Sequence, residues 1–89
     1  MDNVSMLTRV LLADDYAIVR AGLRNALTNM PNIEIVGEAD DGRTLMAMLP
    51  QLIPDLLVVD VAMPHFDPIP TLQQIKTQYP ALRILVVSA

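Results

Sequence analysis

The sequence predicts an α/β domain built around a doubly wound parallel sheet, and three observations carry that expectation. Nearly continuous apolar runs recur at residues 9–14, 56–60 and 83–88, with the length and character of strands covered on both faces. Stretches of helical period, about ten residues each, lie between them. A polar group closes each run: Asp14-Asp15, Asp60 and Ser88. Strands alternating with helices imply parallel pairing through right-handed crossovers, and ligands of such sheets bind beyond the carboxyl ends of the strands.

Taken in order, residues 9–14 are the first strand. From residue 16 to residue 30 the spacing turns helical, with Ile18, Val19, Gly22, Leu23, Ala26, Leu27 and Met30 along one stripe and Arg20 and Arg24 on an exposed face. Asp15 is placed to cap this helix. Pro31-Asn32 ends it, and the partial alternation over residues 33–39 predicts an edge strand. Asp40-Asp41-Gly42 is a turn signal before a helix over residues 44–52, in which Pro50 is expected to cause a break or kink. Residues 56–60 form the third strand and residues 61–66 a loop containing the solvated His65. Asp67-Pro68 then reads as a cap and a first-turn proline. Leu72, Ile75 and Tyr79 supply that helix with its inner face, Pro80 stops it, and residues 83–88 form a fourth strand. No repeat or linker interrupts this series, so residues 1–89 read as one domain.

The composition narrows the function. With 89 residues and 53% apolar side chains but no Trp, the core is aliphatic, and the six methionines read as filler rather than metal ligands. A domain of this size holds about 4 to 13 kcal/mol of stability. The net charge of −4 and isoelectric point near 4.5 lack the basic footprint of phosphate-backbone binding, so no direct nucleic-acid contact is expected. The absence of cysteine removes disulfides, thiolate catalysis and thiolate-bound zinc. The start of the chain fits neither a signal peptide nor a membrane span, and a cytoplasmic protein with no membrane contact is expected. Three carboxylates at one sheet edge repel one another, by about 4 kcal/mol for a pair about 4 Å apart at an effective dielectric near 20, unless a cation sits among them. Oxygen-only ligands suit Mg²⁺.

The chain resembles the receiver domain of two-component response regulators. The resemblance rests on Asp14-Asp15, on Val59-Asp60-Val61-Ala62-Met63-Pro64 and on Val86-Val87-Ser88-Ala89, in that order. The stretches Asp15-Tyr16-Ala17-Ile18-Val19-Arg20-Ala21-Gly22-Leu23 and Ile35-Val36-Gly37-Glu38-Ala39-Asp40-Asp41-Gly42 are further similar to regulators of the LuxR and FixJ type, whose output domain binds DNA. The resemblance implies a flavodoxin-like fold with strand order 2-1-3-4-5. Here the fold would lack its C-terminal α4-β5-α5 part, residues 1–89 being the N-terminal portion.

For the site, the resemblance implies Mg²⁺ held by Asp15 and Asp60 directly, by Asp14 through water and by the backbone carbonyl of Ala62. Asp60 would be the phosphoacceptor for a sensor histidine kinase. Ser88 would hydrogen-bond the phosphoryl group and act as the switch, with the Ala89 amide close by. The module would not be an enzyme beyond assisting its own phosphorylation. The family's lysine on the fifth strand is missing, and one preorganised donor in such sites is worth about 3 to 4 kcal/mol, so weak or absent phosphorylation is expected. Pro68 stands where the family has glycine, which should alter the loop beside Asp60.

Two other readings stay open. One is an interaction module independent of phosphorylation, assembling through an apolar fourth-strand edge as a homo-oligomer or swapped dimer. The other is an aspartate-nucleophile phosphohydrolase, disfavoured because Ala62 stands two residues after Asp60, where such enzymes place a second acid.

Overall fold

The computed structural model describes residues 7–87. The first apolar run forms β1 (Thr8–Ala13), whose last four side chains are buried. There follow α1 (Ala17–Thr28), β2 (Ile33–Ala39), α2 (Gly42–Leu52), β3 (Leu56–Asp60), α3 (Pro68–Gln78) and β4 (Arg83–Val87). All strand pairs are parallel, in the order β2-β1-β3-β4. The strand order reverses between β1 and β3, which places the ends of those two strands at the crevice where ligands of doubly wound sheets bind. The expected fold class and the edge position of β2 are both present.

The two faces of the sheet are packed unequally. Leu11, Ala13, Leu57 and Val59 meet Leu45 and Leu49 of α2 and Ile75 of α3, joined by Met63, Phe66 and Leu82. The opposite face has only Val10, Leu12 and Val58 fully buried, flanked by the partly buried Leu23 and Leu27 of α1. Alpha-helix α1 has no fully buried residue. The broad apolar stripe expected along it narrows to those two leucines, because Ile18 is 84% exposed and Val19 and Met30 also face solvent.

Beta-strand β2 carries one irregularity. Val10 pairs with Ile35 but Leu11 pairs with Gly37, leaving Val36 as an extra residue. Glu38 therefore lies opposite Leu12, on the face that α1 covers.

Several local expectations are corrected. Asp15 does not cap α1: the cap position is Tyr16, and no side chain caps it. Instead the Tyr16 amide donates to Asp14 Oδ1 at 2.9 Å. Alpha-helix α2 starts at Gly42, earlier than expected, because Asp41 caps it by accepting from the Thr44 amide at 2.7 Å. Pro50 does not break α2, which continues to Leu52. Pro50 is exposed in the last turn, and its missing amide removes a single bond of the helix ladder.

The end of α2 is secured by other means. The Ile53 amide donates to Leu49 O at 2.9 Å, and Arg9 Nη1 donates to Leu52 O at 2.7 Å and Ile53 O at 2.9 Å. These bonds hold Ile53 at φ 45°, a left-handed conformation costly for a β-branched residue. Asp67 occupies the cap position of α3, with Pro68 in its first turn but no side-chain cap bond. No helix among the described residues is long and apolar enough to cross a membrane.

Candidate metal and phosphoryl site

The ends of β1 and β3 bring the predicted acids together. One carboxylate oxygen from each of Asp14, Asp15 and Asp60 lies within 4.8 Å of the others. Asp14 and Asp60 are 2% and 4% exposed, so their charges stand at the edge of the core rather than in bulk water. The sequence produces this by running two fully buried strands straight into acids with no intervening turn residue.

Each acid has a distinct local role. Asp14 Oδ1 accepts from the Tyr16 amide, while the Asp14 amide continues the β1–β2 ladder to Ala39 O at 3.0 Å. Asp60 Oδ1 accepts from the Ala62 amide at 2.9 Å, a short turn that orients the carboxylate and occupies one of its oxygens. Asp15 Oδ1 is buried and has no hydrogen-bond partner among the described residues. A buried carboxylate oxygen without a donor is costly, and a bound ion is a standard way to satisfy it. Three oxygen donors with one oxygen left unpaired therefore fit a hard divalent cation.

Ala62 follows Asp60 in a loop fastened at both ends. Met63 and Phe66 are buried in the larger core cluster, and the Gly42 amide donates to Pro64 O at 2.9 Å. The left-handed residue of this loop is His65, φ 55°, so Pro68 is free to serve as the first-turn residue of α3. His65 is exposed, as expected. Ser88 and Ala89 lie outside the described residues.

The pairing of Arg20 and Arg24 with Glu38 went unrecognised in the sequence. Arg20, expected on an exposed face, has its side chain only 20% exposed and bonded to Glu38 Oε1 at 3.0 Å. Its Nη1 donates to the main-chain oxygen of Asp14 at 2.6 Å. Arg24 binds the same Glu38 carboxylate through Nε at 2.6 Å and Nη2 at 3.2 Å. The Arg24 guanidinium, and to a smaller degree that of Arg20, holds the Glu38 carboxyl below the usual carboxylate range against the opposing effect of burial. The available signal was a pair of arginines four apart on one helix; their partner lies on another strand, with no local pattern to announce it.

The comparisons with known proteins agree with this geometry. The family model for the response regulator receiver domain matches residues 10–89. The chain belongs to the response regulator receiver domain family. This receiver is 33% identical over 84 residues to the response regulator protein VraR of Staphylococcus aureus, covering 94% of the chain and 40% of VraR. It is 41% identical over 81 residues to a protein-glutamate methylesterase/protein-glutamine glutaminase of Trichodesmium erythraeum, covering 91% of the chain and 23% of that protein. Among solved structures, the isolated REC domain of RcsB from Salmonella enterica serovar Typhimurium, in the presence of phosphomimetic BeF3-, superposes with a TM-score of 0.87 at 34% identity. That match covers 92% of this chain and 62% of the other. The receiver thus spans between 23% and 40% of the length of these curated relatives.

Proposed function

We propose that this receiver is a phosphoacceptor whose Asp60 takes a phosphoryl group from a sensor histidine kinase with the help of Mg²⁺. The observation that carries the reading is the cluster of Asp14, Asp15 and Asp60 with Asp15 Oδ1 unpaired. Asp15 and Asp60 would hold the ion directly, Asp14 through water, and the Ala62 carbonyl would complete the protein's share. When bound, the cation supplies charge neutralisation for the phosphoryl oxygens.

The Ala62 amide occupies Asp60 Oδ1, which leaves Oδ2 as the attacking atom. Its lone pair forms the new O–P bond as the P–N bond of the phosphohistidine breaks, and that electron pair stays on the imidazole nitrogen. Ser88 would hydrogen-bond the transferred group and respond to it. The product is a covalent state of the domain, so the module is a signal acceptor rather than an enzyme that turns over.

The same reading extends to the protein of which residues 1–89 are the receiver portion. We take it to be a cytoplasmic transcriptional regulator that meets DNA through another domain, supported by the solved complex of RcsB with promoter rprA and by the acidic charge of this one.

Incubation with Mg²⁺ and acetyl phosphate, followed by intact mass measurement, tests the proposal. One phosphoryl adduct at low occupancy, in line with the weak phosphorylation expected from the sequence, lost in Asp60→Asn and dependent on Mg²⁺, is the expected result. Steady release of inorganic phosphate would instead support the hydrolase reading.

One observation favours a second reading, assembly through the sheet edge. Leu85 and Val86 of β4 are 52% and 48% exposed, and among the described residues β4 pairs only with β3. Such an apolar edge is a template for a second copy. Sedimentation of the 89 residues, with Val86→Lys as the comparison, tests it: oligomers that the substitution disperses support assembly, and a monomer at high concentration sinks it.

A further inference from the structure

We infer that Glu38 is a positioning residue for the metal site: it holds Arg20 on the main chain of Asp14 and so keeps that guanidinium off the acidic carboxylates. The inference rests on the proposed Mg²⁺ site.

Arg20 is the cation that the described hydrogen bonds bring to the loop bearing the acids, since Nη1 reaches the Asp14 carbonyl oxygen at 2.6 Å. Three clustered carboxylates, one with an unpaired buried oxygen, are a strong attractor for any nearby positive charge. An arginine that folded into the cluster would satisfy Asp15 internally and compete with a divalent ion. In this structure it does not, because its Nε is bound to Glu38 at 3.0 Å.

The arrangement is specific. Glu38 sits on β2, opposite Leu12 of β1, so its carboxylate is carried by the sheet and not by the mobile end of a loop. Arg24 grips the same carboxylate with two bonds, Nε at 2.6 Å and Nη2 at 3.2 Å. This fixes the orientation in which Arg20 meets it. The planar guanidinium then does two things that a lysine could not do together: one edge binds Glu38 while Nη1 fastens the loop carbonyl. The loop is clamped by a cation already engaged by a carboxylate shared with Arg24, and the three aspartates are left for the metal.

The test is Mg²⁺ affinity by calorimetry at low ionic strength on the 89-residue protein, with thermal melts in chelator to establish folding. Glu38→Gln is nearly isosteric and takes away the anion that holds Arg20, leaving at most a neutral hydrogen bond; affinity should fall about tenfold, the low end of what outer partners of metal ligands are worth. The double variant Arg20→Met with Glu38→Gln removes the competitor and should recover most of that loss, which a merely structural role for Glu38 would not produce. Arg24→Gln leaves Arg20 paired with Glu38 but less firmly oriented, and should lower Mg²⁺ affinity by less than Glu38→Gln does. Unchanged affinity in Glu38→Gln, or a double variant as weak as the single one, overturns the inference while leaving the metal site standing. Wild-type protein that binds no Mg²⁺ overturns the site itself, and this inference with it.

Discussion

Gly42 and Pro64 are joined main chain to main chain: the first amide of α2 donates to the Pro64 carbonyl at 2.9 Å. The approach is so close that a Cβ on Gly42 would lie 2.7 Å from the carbonyl carbon of His65 and 3.0 Å from the Cα of Phe66. Gly42→Ala should therefore destabilise the domain, although alanine is the better helix former by about 1 kcal/mol. Backbone cannot step aside as a side-chain tip can, and overpacking of this kind costs about 1 to 3 kcal/mol. Urea denaturation measures the net loss. The loop that must move carries Ala62, so weaker Mg²⁺ binding should accompany it.

Ile53 offers the opposite change. It holds a left-handed conformation at φ 45° and is 61% exposed, so little burial rewards it there. Ile53→Gly should raise stability by about 1 kcal/mol, the cost a side chain carries in that region. Its amide still closes α2 on Leu49. A lower denaturation midpoint would show that Ile53 earns more by contact than its backbone loses.

The acidic cluster should reveal its repulsion without metal. In chelator, Asp15→Asn removes one of three neighbouring charges and should stabilise the fold by on the order of 1 kcal/mol. Added Mg²⁺ should then raise the melting temperature of the wild type but not that of the variant, since only a state that binds the ion gains from it. A wild type indifferent to Mg²⁺ would contradict the site.

Acid should loosen two ties. The Thr44 amide bound to the Asp41 carboxylate holds that group below the usual aspartate range, and Arg24, chiefly through its hydrogen bond, does the same for Glu38. Both folded values lie below the unfolded ones. Their stabilisation is therefore complete above the unfolded values, about 3.9 for Asp and about 4.3 for Glu, and is lost as pH falls through the lower folded values. The difference between wild type and Glu38→Gln in urea melts should stay level from neutral pH to about 4.5 and shrink below it. Asp41→Asn should keep the cap but lose this acid dependence.

Much of the fold was legible because its signals are local. The apolar runs, Pro31, Pro80 and the acids at strand ends each speak through neighbours in sequence, and β2 and β3 fall where the spacing put them. Most of the misreadings trace to partners distant along the chain, and the one at the start of α1 is local. Asp15 looked like a cap by position, yet Asp14 takes the nearby amide. Pro50 looked like a breaker, but α2 was already ending, with Arg9 of β1 receiving its carbonyls. Ile18 fitted the helical stripe of α1, yet the apolar contact of that helix with the sheet runs through Leu23 and Leu27. The cluster of Asp14, Asp15 and Asp60 could be foreseen from strand ends alone, whereas the bond from Arg20 to Glu38 spans 18 residues and a change of element.

The extra residue in β2 determines which way Glu38 faces. Side chains alternate along a strand, so one unpaired residue at Val36 reverses the facing of everything after it. Ile33 and Ile35 join the α1 side, and without the irregularity Gly37 and Ala39 would follow them while Glu38 turned toward α2. Deleting Val36 would therefore leave Glu38 on the α1 side, because Ile35, Gly37 and Glu38 would then alternate regularly across the sheet. One residue inserted between Gly37 and Glu38 would do the reverse: it would turn the carboxylate toward the aliphatic layer beneath Leu52 and Met48 and strip two arginines of their anion. Counting parity, rather than any single contact, connects the sheet to its chemistry.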